Sequence, residues 1–374
     1  MKIAIFGGTF NPVHTEHVNM VLAVKRELNP DKIIIVPTFM PPHKNVRPAS
    51  GADRINMLEI AFKDISGVEI SDYEIKSGGT SYTYLTVGHF KELYADAELY
   101  LIVGGDMLKD FKTWKYPERI LDTATLAVFC REDYPFNTEE ERAYFKKRFN
   151  KDFLLLSYKG KEVSSTAIRT FLAFGLMPDG VDAGVFEYAT VHGVYPADKY
   201  QRYILKRLPE KRVIHTANVV ICALKKAKEL NLDYEKVRIA ATLHDCAKYD
   251  DYRRYDGFTL PNGVPQPVIH AFLGAFVAET VLSVKDEEIL DAIRYHTSGK
   301  ADMSMLAKLI FVADMIEKGR DYEGVDILRA QFDKDFESCF RMCLNEEMMH
   351  LINKKTYIYD KTLEAFDCYC KDEK

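Results

Sequence analysis

Two hydrophobic rhythms divide this chain, and the change between them near residue 193 limits its architecture more than any other feature. Before that point, short apolar runs at 2–6, 32–36, 68–70, 99–103, 125–129 and 153–156 alternate with helical patterns. Several of the runs are apolar without a break. Such strands are buried on both faces, as in a parallel sheet sandwiched between helices. The first half therefore predicts a doubly wound α/β sheet with functional loops at the carboxyl ends of its strands. After the connector-like Gly193-Val194-Tyr195-Pro196-Ala197-Asp198 no strand series follows. Val219, Cys222 and Ala223, then Val237, Ala240, Ala241 and Leu243, then Leu306, Ile310 and Ala313, keep helical spacing. The expected division is an α/β domain over 1–195 and an all-α domain over 196–374. A length of 374 residues suits two cores better than one.

A net charge of −5 argues against a general nucleic-acid binder, which carries a basic excess, but not against a small anionic ligand. The apolar run that begins the chain is too short for a signal peptide and fits a buried first strand. No stretch approaches the roughly 20 apolar residues of a membrane span. A cytoplasmic protein without a membrane partner is the expectation. The seven cysteines form no framework, so reduced thiols are expected.

Gly7-Gly8-Thr9-Phe10-Asn11-Pro12-Val13-His14 follows the first strand and is closed by His17. Gly7 and Gly8 allow backbone to approach a ligand, and Thr9 and Phe10 can present amides. His14 and His17 share a face near a helix N-terminus, where free N–H groups and the helix dipole favour an anion. Ser164-Ser165-Thr166-Ala167-Ile168-Arg169 supplies a second such terminus, with Ser164 or Ser165 as N-cap and Arg169 a turn further on. Together these are parts for holding a triphosphate.

The two strings resemble the nucleotidylyltransferase superfamily, and within it the nicotinate-nucleotide adenylyltransferases. Pro41-Pro42-His43-Lys44, Thr80-Ser81-Tyr82-Thr83, Gly104-Gly105-Asp106 and Trp114 belong to the same resemblance, which spans about residues 1–195. It implies transfer of an adenylyl group from ATP, with Mg²⁺, to nicotinate mononucleotide. Gly8, Thr9, Phe10, His17, Ser164, Ser165, Thr166 and Arg169 would bind ATP. His14, His17, Lys44 and Arg169 would act on its phosphates. Tyr82, Thr83, Asp106 and Trp114 would hold the mononucleotide, Trp114 by stacking on the pyridine. Glu16 departs from the pattern, which has glycine there. A carboxylate beside a triphosphate repels it unless it points away or meets Mg²⁺. Pantetheine-phosphate adenylyltransferase is the alternative within this fold.

The second half carries His215, His244-Asp245, His270, His296 and Asp314 on or beside apolar helix faces. Carboxylates on buried faces are costly unless compensated, and a metal ion compensates them. Imidazole mixed with carboxylate suits Fe, Mn, Zn or Mg. Lys248 lies four residues after His244, on the same face if the helix continues. The spacing resembles the HD-domain phosphohydrolases, and among them the bacterial symmetrical dinucleoside tetraphosphatases, over about residues 200–365. The resemblance implies cleavage of diadenosine tetraphosphate into two ADP by two metal ions, iron in this family. His215, His244, Asp245 and Asp314 would hold one ion, and His270 and His296 a second, with Asp245 bridging. Lys248 and Arg320 would offset phosphate charge. The expectation is thus a bifunctional enzyme, with a homo-oligomer left open. The alternatives are that one domain regulates the other by binding nucleotide, or that the helical domain is another nucleotidase or phosphodiesterase.

Overall fold

The computed structural model describes residues 1–40, 49–131, 137–161 and 163–371. They form two compact units, one of residues 1–172 with 177–196, the other of 173–176 with 197 onward.

In the first unit, six described strands form one parallel sheet: β1 (Lys2–Gly8), β2 (Lys32–Pro37), β3 (Val68–Ile70), β4 (Glu98–Gly104), β5 (Ala124–Arg131) and β6 (Leu154–Gly160). Their order is β3-β2-β1-β4-β5-β6. The unbroken apolar runs have a direct cause. Successive side chains of a strand point to opposite faces, and here both faces are covered. Ala4 and Phe6 of β1, with Ile33 and Ile35 of β2, enter one core. Ile3 and Ile5, with Ile34 and Val36, enter the other. Helices α1 (Thr15–Leu28), α2 (Gly51–Phe62) and α3 (Ser165–Ala173) contribute Val21 and Val24, Met57 and Leu58, and Ile168 and Leu172 to the first core. The strand order reverses between β1 and β4. The carboxyl ends of these two strands, Gly7-Gly8 and Gly104, flank the crevice where ligands bind in open α/β sheets.

The described part of the second unit has helices and turns but no strand. Its main helices are α4 (Glu210–Ala227), α5 (Tyr234–Leu243), α6 (Ile269–Thr280), α7 (Glu287–Tyr295), α8 (Met305–Ile316) and α9 (Phe336–Asn353). Side-chain caps set several starts. Asp233 accepts from the Lys236 amide, Asp286 from Glu288 and Ile289, and Ser304 from Ala307. Leu243, Leu273, Val277, Ile293, Leu309 and Ile310 are fully buried between the helices. No helix of the described residues is long and apolar enough to cross a membrane. All seven cysteines are free thiols.

Candidate functional site

Sequence reasoning placed Gly7 and Gly8 after the first strand, but β1 runs through Gly8. The two glycines also do different work. A Cβ on Gly7 would meet nothing within 4 Å, which leaves its backbone open. A Cβ on Gly8 would lie 2.8 Å from the Phe10 ring. Phe10 is buried, with φ at +46°, and its ring packs edge-on to Phe6 at 5.3 Å and to His17 at 4.9 Å. Gly8 makes room for an internal wedge beneath His17.

His14 is the residue before α1 rather than its first. Its ring stacks on His17 at 3.6 Å, and the His14 amide donates to His17 Nδ1 at 3.2 Å. That bond fixes the other ring nitrogen, Nε2, as the one able to carry a proton. Burial and the neighbouring His14 hold the His17 pKa well below the ordinary value. The α3 terminus is capped by Ser164, whose hydroxyl accepts from the Ala167 amide at 3.2 Å. Arg169 links the two motifs. It donates to the Asn11 carbonyl at 2.9 Å and to the Thr166 hydroxyl at 3.2 Å. Glu16 turns away from this crevice. It accepts from the Tyr158 hydroxyl and the Lys161 amide, both at 2.9 Å, and from Asn19 at 3.0 Å.

Trp114 is half-buried, its ring 5.1 Å from Phe111. Tyr82 precedes the helix Thr83–Leu93, so the Thr83 and Tyr84 amides have no acceptor within the helix. Asp106 lies in the first turn of the short helix after β4. Lys44 and the rest of Pro41-Pro42-His43-Lys44 lie outside the described residues. Two residues missed in the sequence hold the loop after β1. Arg54 is almost fully buried and donates to the carbonyls of Thr9 at 2.9 Å and Ala49 at 3.0 Å. Asn11 Oδ1 accepts from the Ala49 amide at 3.1 Å and the Tyr195 hydroxyl at 2.8 Å. One arginine on a helix gives no sequence pattern, so nothing in the sequence pointed to Arg54.

In the second unit all six expected ligands converge. His215 projects from α4, His244 and Asp245 follow the end of α5, His270 sits at the start of α6, His296 follows α7, and Asp314 lies in the last turn of α8. His215, His244 and Asp314 present ligand atoms within 4.8 Å of one another, and so do His244, Asp245 and His296. His270 Nε2 is 3.0 Å from Asp245 Oδ1 and 3.3 Å from His296 Nε2. Lys248 also arrives, though not along a helix face. The helix stops at Leu243, and a turn brings Nζ to 3.3 Å from Asp245 Oδ1 and 3.0 Å from His270 Nε2.

The ring orientations test whether a cation fits. His244 Nδ1 is 2.7 Å from the Ala241 carbonyl, and His296 Nδ1 is 2.7 Å from the Ile293 carbonyl. A carbonyl only accepts, so both rings carry their proton on Nδ1 and turn a bare Nε2 inward. His215 lies between two carboxylates, with Nδ1 3.0 Å from Glu317 and Nε2 3.0 Å from Asp314, and despite its burial they raise its pKa above the ordinary value. His215 and His244 then face each other, Nε2 to Nε2, at 3.3 Å. Two ring nitrogens and the Asp314 carboxylate so close together need a proton or a metal ion among them. Buried Asp245 Oδ1 accepts no hydrogen bond of good geometry, despite its near neighbours. This donor set fits metal ions. Burial lowers the His244 pKa to about 3, so that ring is neutral and ready to ligate. Burial opposes the charge on Asp245, yet its pKa lies well below the usual carboxylate range, and the Lys248 ammonium 3.3 Å from Oδ1 is among the charges that favour the carboxylate. Glu317 and Arg212, whose guanidinium meets Asp245 Oδ2 at 3.0 Å, were not recognised in the sequence as part of this cluster.

A cytidylyltransferase-like family model matches residues 5–171, and an HD-domain model matches 212–319. A probable nicotinate-nucleotide adenylyltransferase of Clostridium botulinum is 40% identical over 171 residues, covering 45% of this chain and 84% of that protein. The chain belongs to the nicotinate-nucleotide adenylyltransferase family. Fused to its adenylyltransferase domain is an HD-superfamily hydrolase domain. A probable nicotinate-nucleotide adenylyltransferase/Ap4A hydrolase of Mycoplasma genitalium has the same two-part plan. It is 28% identical over 335 residues, covering 87% of this chain and 91% of that protein. A Clostridium acetobutylicum crystal structure, named a predicted HD superfamily hydrolase involved in NAD metabolism, is 34% identical. It covers 46% of this chain and 95% of that one, with a TM-score of 0.44.

Proposed function

We propose that the adenylyltransferase domain joins ATP to nicotinate mononucleotide, releasing pyrophosphate, and that the HD domain hydrolyses diadenosine tetraphosphate symmetrically to two ADP. In the first reaction a phosphate oxygen of the mononucleotide attacks the α-phosphorus of ATP, and the bond to the β-phosphate oxygen breaks. No protein nucleophile is needed, so catalysis is positioning and charge stabilisation. The first turns of α1 and α3 aim amides at the triphosphate, which arrives as its Mg²⁺ complex. Gly8, Thr9 and Phe10 shape the loop. His14, His17, Ser164, Ser165, Thr166 and Arg169 would surround the phosphates, with Lys44 as a further cation. The depressed His17 pKa leaves a neutral ring whose Nε2 proton can be donated to a phosphate oxygen without a buried charge in the resting site. Tyr82, Thr83, Asp106 and Trp114 would bind the mononucleotide.

In the HD domain His215, His244, Asp245 and Asp314 would hold one ion, and His270, His296 and Asp245 another. Bound there, such ions would activate a water and offset the charge on the phosphate oxygens. Asp314 is held low by Arg320 as well as by His215, so it is ionised throughout the neutral range. Lys248 stands beside Asp245 and His270, where its ammonium can meet an incoming phosphate. The observation that carries this reading is the inward convergence of bare imidazole nitrogens around Asp245.

The test is product analysis of the purified full chain. ATP with nicotinate mononucleotide should yield the dinucleotide and pyrophosphate in equal amounts. Diadenosine tetraphosphate should yield ADP alone, and chelation should abolish that yield. Products of AMP and ATP would refute the symmetrical reading. Absence of dinucleotide would refute the first half.

A further inference from the structure

Gly193-Val194-Tyr195 has the composition of a connector, yet these residues belong to the first unit, which runs to Pro196. They close the helix Ala183–Val191. Gly193 has φ at +58°, its amide donates to the Thr190 carbonyl at 3.2 Å, and the Val194 amide donates to the Ala189 carbonyl at 2.9 Å. This pair of bonds reverses the chain after a helix and needs a left-handed residue, which glycine adopts without a clash. The reversal sends Val194 and Tyr195 back against the core that α1, α2 and α3 share with the sheet. The helix itself is held on α2, where Asn56 donates to the Tyr188 hydroxyl at 2.7 Å and that hydroxyl donates to Asp53 at 3.0 Å.

Tyr195 brings its hydroxyl to Asn11, in the loop between β1 and α1. The Ala49 amide can only donate, so the Asn11 atom that meets it is the oxygen. The Tyr195 hydroxyl, 2.8 Å from the same oxygen, must then donate as well. Both acceptor positions of Oδ1 are filled, while the main-chain carbonyl of Asn11 accepts from Arg169. Rotating the Asn11 side chain breaks two bonds and loosens the carbonyl that aligns the guanidinium. The same terminal segment grips the loop again at its far end, where the Gly180 carbonyl accepts from the Thr15 amide at 2.8 Å. Burial raises the Tyr195 pKa above the ordinary value, although Arg169 and Arg54 oppose the rise, so the hydroxyl keeps its proton.

We propose that Tyr195 is a positioning residue of the adenylyl-transfer site, its hydroxyl fixing, through Asn11, the middle of the loop and the direction of the Arg169 guanidinium. The inference rests on the adenylyltransferase reading and deepens it. A guanidinium that meets charge forming on the phosphates acts on the transition state, so its misplacement lowers kcat more than it raises KM. Arg54 still holds Thr9 when the Tyr195 hydroxyl is absent, which leaves the ground-state grip on ATP in place.

The test compares Tyr195→Phe with the unaltered full chain. The substitution keeps the ring in the core and removes only the hydroxyl. The kcat for dinucleotide formation should fall about threefold to tenfold, the scale of one hydrogen bond, with the KM for ATP within twofold. In an Asn11→Ala background the same substitution should change kcat less than twofold, because its acceptor is gone. A tyrosine that serves only the core would show equal losses in both backgrounds, and that result would overturn the proposal. Hydrogen exchange without substrate reads the loop directly. The amides of Phe10, Asn11 and His14 should open about threefold to tenfold more often in Tyr195→Phe. Unchanged exchange there would also overturn the proposal. If the unaltered chain forms no dinucleotide, the transferase reading fails, and the exchange comparison still decides whether Tyr195 fixes the loop. Dinucleotide formation with unchanged exchange rejects the role of Tyr195 alone.

Discussion

Glu317 offers the sharpest test of how the candidate metal cluster is organised. Two of the rings, His244 and His296, are oriented by carbonyls of their own helical turns, whereas His215 is oriented by a buried carboxylate at 3.0 Å. Glu317 itself is pinned. Burial opposes its charge, but His215 and the Gly319 amide hold its pKa below the ordinary value. Replacing it should act on His215 alone among the ligands. Glu317→Ala removes both the orientation and the negative charge behind the ring. Losses of outer contacts of this type weaken metal affinity by about 10- to 100-fold, or about 1.4–2.7 kcal/mol. Glu317→Gln keeps an acceptor for Nδ1–H but loses the charge, so it should stay near the tenfold end. Competition titration with a coloured chelator, on protein checked for unchanged helical content, separates the ions by affinity. One ion should weaken, and the ion shared by Asp245, His270 and His296 should hold within about threefold. Equal weakening of both ions, or no change in Glu317→Ala, would refute the reasoning.

Other outcomes follow from single contacts. Glu16→Ala should lower stability by about 1.5–3 kcal/mol through loss of charged hydrogen bonds to Tyr158 and Lys161, measured by denaturant unfolding. Adenylyl transfer at saturating ATP should stay within about threefold, and a large fall in kcat would place the carboxylate in the reaction. Arg54→Met should release the Thr9 and Ala49 carbonyls and raise the KM for ATP roughly tenfold, about the cost of one such contact to a charged group. An unchanged KM would show that the loop holds itself. Chelation followed by Mg²⁺ alone should restore adenylyl transfer but not tetraphosphate hydrolysis, and parallel recovery would contradict separate metal requirements. Glu74 gives a pH signature. Burial raises its pKa, and one carboxylate oxygen has no hydrogen-bond partner. A carboxyl with a raised folded pKa binds its proton more tightly folded than unfolded. Its contribution is therefore present at low pH and lost as pH rises through the folded value. Glu74→Gln should raise Tm relative to the unaltered chain at pH 8, and the gain should shrink at pH 4.

The fold was legible where chemistry is periodic. All six runs are strands; the inner ones are apolar because they lie between two cores, whereas β3, at one end of the sheet order, carries exposed Glu69. The ends were read less well for the same reason. β6 extends to Gly160 through Ser157, Tyr158 and Lys159, which no apolar run includes. It is the last strand in the sheet order, with one edge unpaired among the described strands, so polar side chains are tolerated there. Gly8 shows a second limit. Its sequence context spoke of ligand approach, but its space belongs to the Phe10 ring. A string of residues cannot show which neighbour fills the place of an absent side chain.

The two candidate sites also differ in what their sequences reveal. The crevice of the first unit relies on backbone amides at helix starts, and the side chains that shape it act on carbonyls. Arg54 holds Thr9 and Ala49, and Arg169 holds Asn11. Any residue type has a carbonyl, so such partners leave no trace in the sequence. The cluster of the second unit relies on side-chain ligands, whose residue types announce themselves over a hundred positions. Its supports do not. Ala241 and Ile293 act through carbonyls, and Glu317 is one of many acidic residues in the chain. The candidate ligands were therefore legible, and the contacts that orient their rings were not. Substitution should follow the same division. Changes at Ala241 or Ile293 that preserve the helix should leave the cluster intact, because the groups that orient His244 and His296 belong to the backbone, whereas Glu317 has no backbone substitute.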